Sequence, residues 1–181
     1  MNKPKDFFDH CLTKAISLKE KFKILEKNDW NSLTVLLELN VQIGHLVNVV
    51  NDDIEIHEDG REIDNIGDEI SDVLLQLSYL SHIEKINFDN IEEYNDYHYD
   101  KIEGLSILSG QLTEILMEKY EYRFDKPRVG FKTNDEFIKD RIIKMIIISL
   151  NIGNKYNLDM IKEFNDMCEN ALGFLSKKVT E

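Results

Sequence analysis

The sequence predicts an all-α protein, a helical bundle that carries one helical unit twice in tandem. Three observations predict it. Two prolines and eight glycines in 181 residues leave little to interrupt long helices. Apolar residues recur at three- and four-residue spacing along most of the chain. Several segments also reappear farther along in the same order.

Taken in order, residues of about 4 to 27 place Phe7, Phe8, Leu12, Ile16 and Phe22 near helical spacing with charged residues between them, which reads as a first amphipathic helix. Asn28, Asp29 and Asn31 break it around Trp30, and Ser32 is expected to cap the next helix. That helix, about 32 to 50, is apolar nearly all round, from Leu33 to Val50, and is therefore expected to be central. The polar stretch NDDIEIHEDGRE separates it from a third helix of about 64 to 84, whose Ile66, Ile70, Val73, Leu74, Leu77 and Leu80 form a wide apolar face. A helix opened by Asp89 is expected through Tyr94, then one of about 105 to 122 after a bend near Gly104. Beyond DKPRVGFKTND come helices of about 135 to 153 and 158 to 177.

The repeat rests on three pairs of segments. KINFDNIEEYND at 85–96 returns as KYNLDMIKEFND at 155–166, LNVQIGHL at 39–46 pairs with LSGQLTEI at 108–115, and DEISDVLLQL at 68–77 pairs with DRIIKMIIIS at 140–149. Two copies with a long period do not make a solenoid. They point to one domain over 1–181, with a first repeat at 28–100, a second at 101–178 and a pseudo-twofold bundle as the product.

Thirty-five acidic against 22 basic residues leave a net charge of -13, which repels nucleic-acid backbones and anionic lipid. Nucleic acid and membrane are thus not expected as partners. A bound divalent ion would reconcile such a chain with a phosphate ligand. Cys11 and Cys168 are too few for a disulfide framework and read as reduced thiols. MNKPKDFFDH lacks the apolar run of a signal peptide, and no run of about 18 consecutive apolar residues offers a membrane span, so a cytoplasmic location is expected.

Two polar stripes interrupt the most apolar helices. Glu38, Gln42 and His45 share one face of the second, and Asn65, Glu69, Asp72 and Gln76 one face of the third. Glu69 and Asp72 read either as the solvated edge of an amphipathic helix or as paired oxygen ligands for a hard cation, since buried acids are costly when nothing compensates them. His45 by itself reads as a hydrogen-bonded structural histidine.

DEISDVLLQLSYLS resembles the acidic second motif of the MazG-like all-α NTP pyrophosphatases, an E-x-x-D set in DVL-type sequence, with Glu69 and Asp72 on its two metal-binding acids. VQIGHL is similar to the family's first motif, E-V-G-E-L, with Gly44 and Leu46 matched and with Gln42 and His45 where glutamates are expected. NDW resembles the segment before that helix, where Trp30 would stack on a base. The resemblance implies a nucleotide pyrophosphohydrolase that cleaves a nucleoside triphosphate to the monophosphate and pyrophosphate with magnesium, or manganese. It implies Glu38, Glu69 and Asp72 as catalytic and metal-binding acids, Glu38 substituting from one turn before Gln42, with Trp30, Gln42 and His45 on the substrate. The altered acids leave open a non-catalytic nucleotide-binding or regulatory protein of the same descent. In the second copy Arg141 and Lys144 stand at the positions of Glu69 and Asp72, which points to an ion-paired core. Relatives dimerise through this unit, so the tandem chain is expected as a monomer or a homodimer.

Overall fold

A computed structural model of the chain describes residues 4–26, 30–51, 65–89, 91–94, 97–122 and 135–180. The polar stretch after Val50 and most of DKPRVGFKTND lie outside the described residues, as do Asn28 and Asp29. Among the described residues the regular structure is entirely helical: α1 (Pro4–Phe22), α2 (Ser32–Val50), α3 (Ile66–Ile83), a 3₁₀ turn (Ile91–Tyr94), α4 (Glu103–Lys119), α5 (Asp135–Lys155) and α6 (Met160–Thr180).

Asn31 rather than Ser32 caps α2. Its side-chain oxygen accepts from the backbone N–H groups of Leu33 (2.9 Å) and Thr34 (3.1 Å), while Thr34 Oγ1 accepts from the Asn31 N–H (2.8 Å). This reciprocal pair satisfies three backbone donors at the helix start. Freed from capping, Ser32 turns its hydroxyl inward to Glu84.

The four helices α2, α3, α5 and α4 form a closed ring in which each packs on the next, and α1 and α6 lie against α3 and each other. The centre is α3, not α2. Ile70, Val73, Leu74, Leu77 and Leu80 are fully buried, and every residue from Val73 to Ser81 is buried. Burying a side chain of this size contributes about 1.5 to 3 kcal/mol. α2 presents Val35, Leu36, Leu39, Ile43 and Leu46 to the core but leaves Leu37 68% and Val41 48% exposed. By length and composition this helix is apolar enough to cross a membrane, contrary to the expectation of no such segment. Here it packs along α3 and α4.

The helix expected from Asp89 through Tyr94 is only the single 3₁₀ turn, followed by non-helical backbone at 97–100. The reason lies in α5: the Asn151 amide donates to the carbonyl oxygens of Tyr97 (3.4 Å) and Tyr99 (3.1 Å), which an α-helix would use internally. Phe88 anchors the start of this connection on Phe8 of α1, with ring centroids 3.7 Å apart.

α3, α4 and α5 stop in the same way. Lys85, Glu121 and Asn157 take φ of 56°, 55° and 56°. Each N–H donates to the carbonyl three residues back, and the next N–H reaches five residues back, as from Ile86 to Ser81 (2.9 Å), Tyr122 to Met117 (2.8 Å) and Leu158 to Gly153 (3.0 Å). This is the Schellman arrangement, normally built on glycine because a Cβ costs about 1 to 2 kcal/mol in the left-handed region.

At one end of the ring a buried carboxylate joins all four core helices. Glu84, just past α3, has a side chain only 1% exposed. It accepts from Ser32 Oγ at the start of α2, from Tyr120 Oη (2.8 Å) past α4, and from Lys119 Nζ (2.8 Å) in α4. The same ammonium donates to Asp135 (2.8 Å), the first residue of α5. Burial works against the Lys119 charge, but hydrogen bonds to Asp135 and Glu84 outweigh it and hold the pKa above the ordinary lysine value.

Three outcomes are expected for stability measured by urea denaturation. Lys119→Met strands the Glu84 carboxylate in the interior and is expected to cost about 3 kcal/mol, whereas Glu84→Gln leaves a lysine that still meets Asp135 and is expected to cost about 1 kcal/mol. Lys85→Gly, relieving a Cβ in the left-handed region, is expected to stabilise by up to about 1 kcal/mol.

Candidate functional site

The two predicted polar stripes face one another across the α2–α3 contact. Glu38, Gln42 and His45 lie along α2, all half-buried, and Glu69, Asp72 and Gln76 lie along α3. Glu69 is 6% and Gln76 3% exposed, so a fully solvated edge does not describe this face of α3.

The stripe on α2 is linked along its own helix. Gln42 Nε2 donates to Glu38 Oε1 (3.0 Å), and Gln42 Oε1 lies 3.2 Å from His45 Nδ1, which donates to it when that nitrogen carries the proton. His45 Nδ1 is 3.9 Å from Glu69 Oε2. The amide at position 42 therefore bridges its two neighbours instead of adding a third carboxylate. Among the described residues, no three His, Cys, Asp or Glu side chains come together in a set that could hold a metal ion. Magnesium wants several oxygen ligands in near-octahedral order, and imidazole suits it poorly. The residues present do not fit that ion.

A residue that sequence reasoning passed over lies near this face. Lys19 of α1 is 8% exposed, and its ammonium stands 3.2 Å from the centroid of the Trp30 ring and 5.8 Å from that of Tyr79 on α3. Trp30 hydrogen-bonds Glu26. Burial pushes the Lys19 pKa down to about 8, against the pull of the Glu26, Glu38 and Asp72 carboxylates, which raise it. Lys19 thus remains an ammonium at neutral pH. It also covers one face of the Trp30 ring, the residue expected to stack on a base. The signal was present in the sequence: Lys19 follows Ala15 by four residues and precedes Phe22 by three, which places it on the apolar stripe of α1.

In the second half of the chain, Arg141 Nε donates to Gln111 Oε1 (2.8 Å), and Arg141 and Lys144 both pair with Asp140, the latter at 2.9 Å. The positive residues that the repeat expected from the sequence would set against Glu69 and Asp72 are thus engaged in ion pairs, through Asp140.

An open cleft of about 750 Å³ lies elsewhere, between the end of α2, the start of α3 and α6. It is lined by none of the six expected site residues. Gly67 permits its narrowest approach, since a Cβ there would lie 2.5 Å from Glu163 Oε2. A carboxylate of α6 so reaches the first turn of α3, where helix N–H groups favour negative charge. With Asp68 and Asp166 beside it and Lys162 opposing, the rim is acidic and unsuited to a triphosphate.

Set against protein-family models, curated proteins and solved structures, the chain matches none.

The Lys19 shift has a defined pH signature. Its folded pKa, about 8, lies below the ordinary 10.5, so between these values the unfolded chain binds more protons than the folded one. Stability contributed by this residue should rise from pH 8 to pH 10.5 and then level off, by about 3 kcal/mol at about 1.4 kcal/mol per unit. Urea denaturation across that range should show the rise in the native chain relative to Lys19→Met; parallel curves would contradict it.

Proposed function

We propose that this chain is a non-catalytic helical protein of the MazG-like type, built from two fused copies of that family's helical unit and acting in nucleotide binding or regulation. The observation that carries this reading is the closed stripe on α2. Gln42 ties Glu38 to His45 where pyrophosphate cleavage needs carboxylates converging on a metal. Attack of water at the α-phosphorus requires that ion both to activate the nucleophile and to offset charge on the triphosphate. Without it, the face retains shape and polarity but lacks the chemistry.

Descent from a fused pair is supported by how the repeated segments meet. Asn40 and Ser109 occupy the same position in LNVQIGHL and LSGQLTEI, and Ser109 Oγ donates to Asn40 Oδ1 at 2.7 Å. Equivalent residues touch each other only near a twofold axis. The corresponding helices also pair, α2 with α4 and α3 with α5. Two free, buried thiols, Cys11 and Cys168, suit the reducing cytoplasm.

The enzymatic reading keeps one supporting observation, the retention of Glu69 and Asp72 on a largely buried face. A pyrophosphate-release assay against NTPs and dNTPs, with magnesium and with manganese, separates the two. No release above a protein-free control is expected. Release that Asp72→Asn abolishes would establish the pyrophosphohydrolase instead. Thermal shift with the same nucleotides measures binding without turnover, a ligand at 100 times its Kd stabilising by about 2.7 kcal/mol.

A further inference from the structure

We propose that a pocket at the Glu84 end of the bundle is a binding site for a guanidinium group, carried by a small molecule or by an arginine side chain. It shares no residue with the nucleotide site expected from the sequence and does not rest on that reading.

The pocket encloses about 350 Å³ and is lined by Asn31, Ser32, Leu33, Ile83, Tyr120 and Tyr122. That volume lies within the range of small-ligand sites. Leu33 of α2 and Ile83 of α3 are half-buried and supply apolar surface. Tyr120 and Tyr122 stand on either side of Glu121, whose φ of 55° closes α4 together with the bond from the Tyr122 N–H to the Met117 carbonyl (2.8 Å). Both tyrosines are exposed, 45% and 70%, whereas Ser32 is the buried member of the lining.

The kind of guest is set by where the protons go. Ser32 Oγ and Tyr120 Oη each carry a single proton, and both donate it to Glu84 Oε1. A carboxylate is a stronger acceptor than a hydroxyl. The two hydroxyl oxygens, 3.3 Å apart, therefore keep lone pairs but no spare proton, so they accept from a guest and do not donate to one. The start of α2 offers an anion little either, because Asn31 Oδ1 already takes the N–H groups of Leu33 and Thr34. The charge balance has the same sign: the carboxylates of Glu84 and Asp135 meet the one ammonium of Lys119, which leaves this network one negative charge in excess. The chain as a whole, at -13, attracts cations.

A fitting guest donates hydrogen bonds, carries positive charge and rests against aromatic rings. Guanidinium does all three. Its flat face lies on a tyrosine ring, its rigid fork of N–H groups serves two neighbouring acceptors, and it is more weakly hydrated than an ammonium. Lys119, 5.9 Å from the Tyr120 ring centroid, does not line the pocket, and its bonds to Glu84 and Asp135 hold it in place.

The test is an NMR titration of the isotope-labelled chain at neutral pH with methylguanidinium, with its neutral isostere methylurea, with inorganic phosphate, and with N-acetyl-arginine methylamide, which presents the group as a peptide would. Both guanidinium probes should give saturable shifts at Ser32, Leu33, Tyr120 and Tyr122, and methylurea should bind at least tenfold more weakly. Binding of the arginine amide at least fivefold tighter than methylguanidinium assigns the guest to a peptide; equal or weaker binding assigns it to a small molecule. Tyr122→Leu, at a position 70% exposed, should leave the urea-denaturation midpoint unchanged and weaken binding of methylguanidinium at least fivefold. The proposal is overturned by the absence of saturable shifts at these residues, by methylurea or phosphate binding as well as methylguanidinium, or by a Tyr122→Leu chain that binds as the native one does.

Discussion

The fold depends most on the buried carboxylate of Glu84. Four helices of similar length and composition can close into a ring in several registers, and apolar contacts alone discriminate among these poorly. Glu84 breaks the degeneracy. Its oxygens take donors from Ser32, Lys119 and Tyr120, and Lys119 extends the set to Asp135, so the near ends of α2, α3, α4 and α5 meet at one point. A slide of α4 by one turn would remove Lys119 and leave the Glu84 charge in the interior uncompensated, a penalty of several kcal/mol, while a slide of α2 or α5 would break the Ser32 or the Asp135 contact.

With that end fixed, α3 serves as the axis on which the rest is laid. Its apolar residues bury against α2, α5, α1 and α6, while Glu69, Asp72 and Gln76 are carried inward on the same rod. A buried polar face needs internal compensation. Here Lys19 of α1 feels the charges of Glu26, Glu38 and Asp72, and a chain of contacts runs along α2 through Glu38, Gln42 and His45, with His45 3.9 Å from Glu69 of α3. The second half resolves its polar positions differently, with Arg141 and Lys144 gathered on Asp140. Among the described residues neither half brings three His, Cys, Asp or Glu side chains together in a set that could hold a metal ion.

How much of this was legible in the sequence varied with the range of the interaction. Helical periodicity located α2, α3, α5 and α6 closely, because it reports a local pattern of burial. Their ends were harder, since Lys85, Glu121 and Asn157 perform a task for which glycine is the usual marker. α2 is one of the four ring helices but less central than α3, because an apolar helix packed on one side only leaves its outer face open, as the exposure of Leu37 and Val41 shows. The polar stripes were visible as spacing, and the structure places them opposite each other. That Glu84 and Lys19 would be the decisive charges was not visible, since each meets its partners through residues distant in the chain. Only the position of Lys19 on an apolar stripe hinted at it.

The cation over Trp30 also makes the molecule its own optical probe. Trp30 is the single tryptophan in 181 residues, so the indole fluorescence of the whole chain originates beside Lys19. Excitation shifts electron density across the indole ring, and the energy of the emitted light depends on charges next to it. An ammonium 3.2 Å from the ring centroid is among the strongest such perturbations a side chain can impose. The wavelength and yield of that one chromophore therefore register whatever displaces, neutralises or hydrates the lysine, and do so without any label.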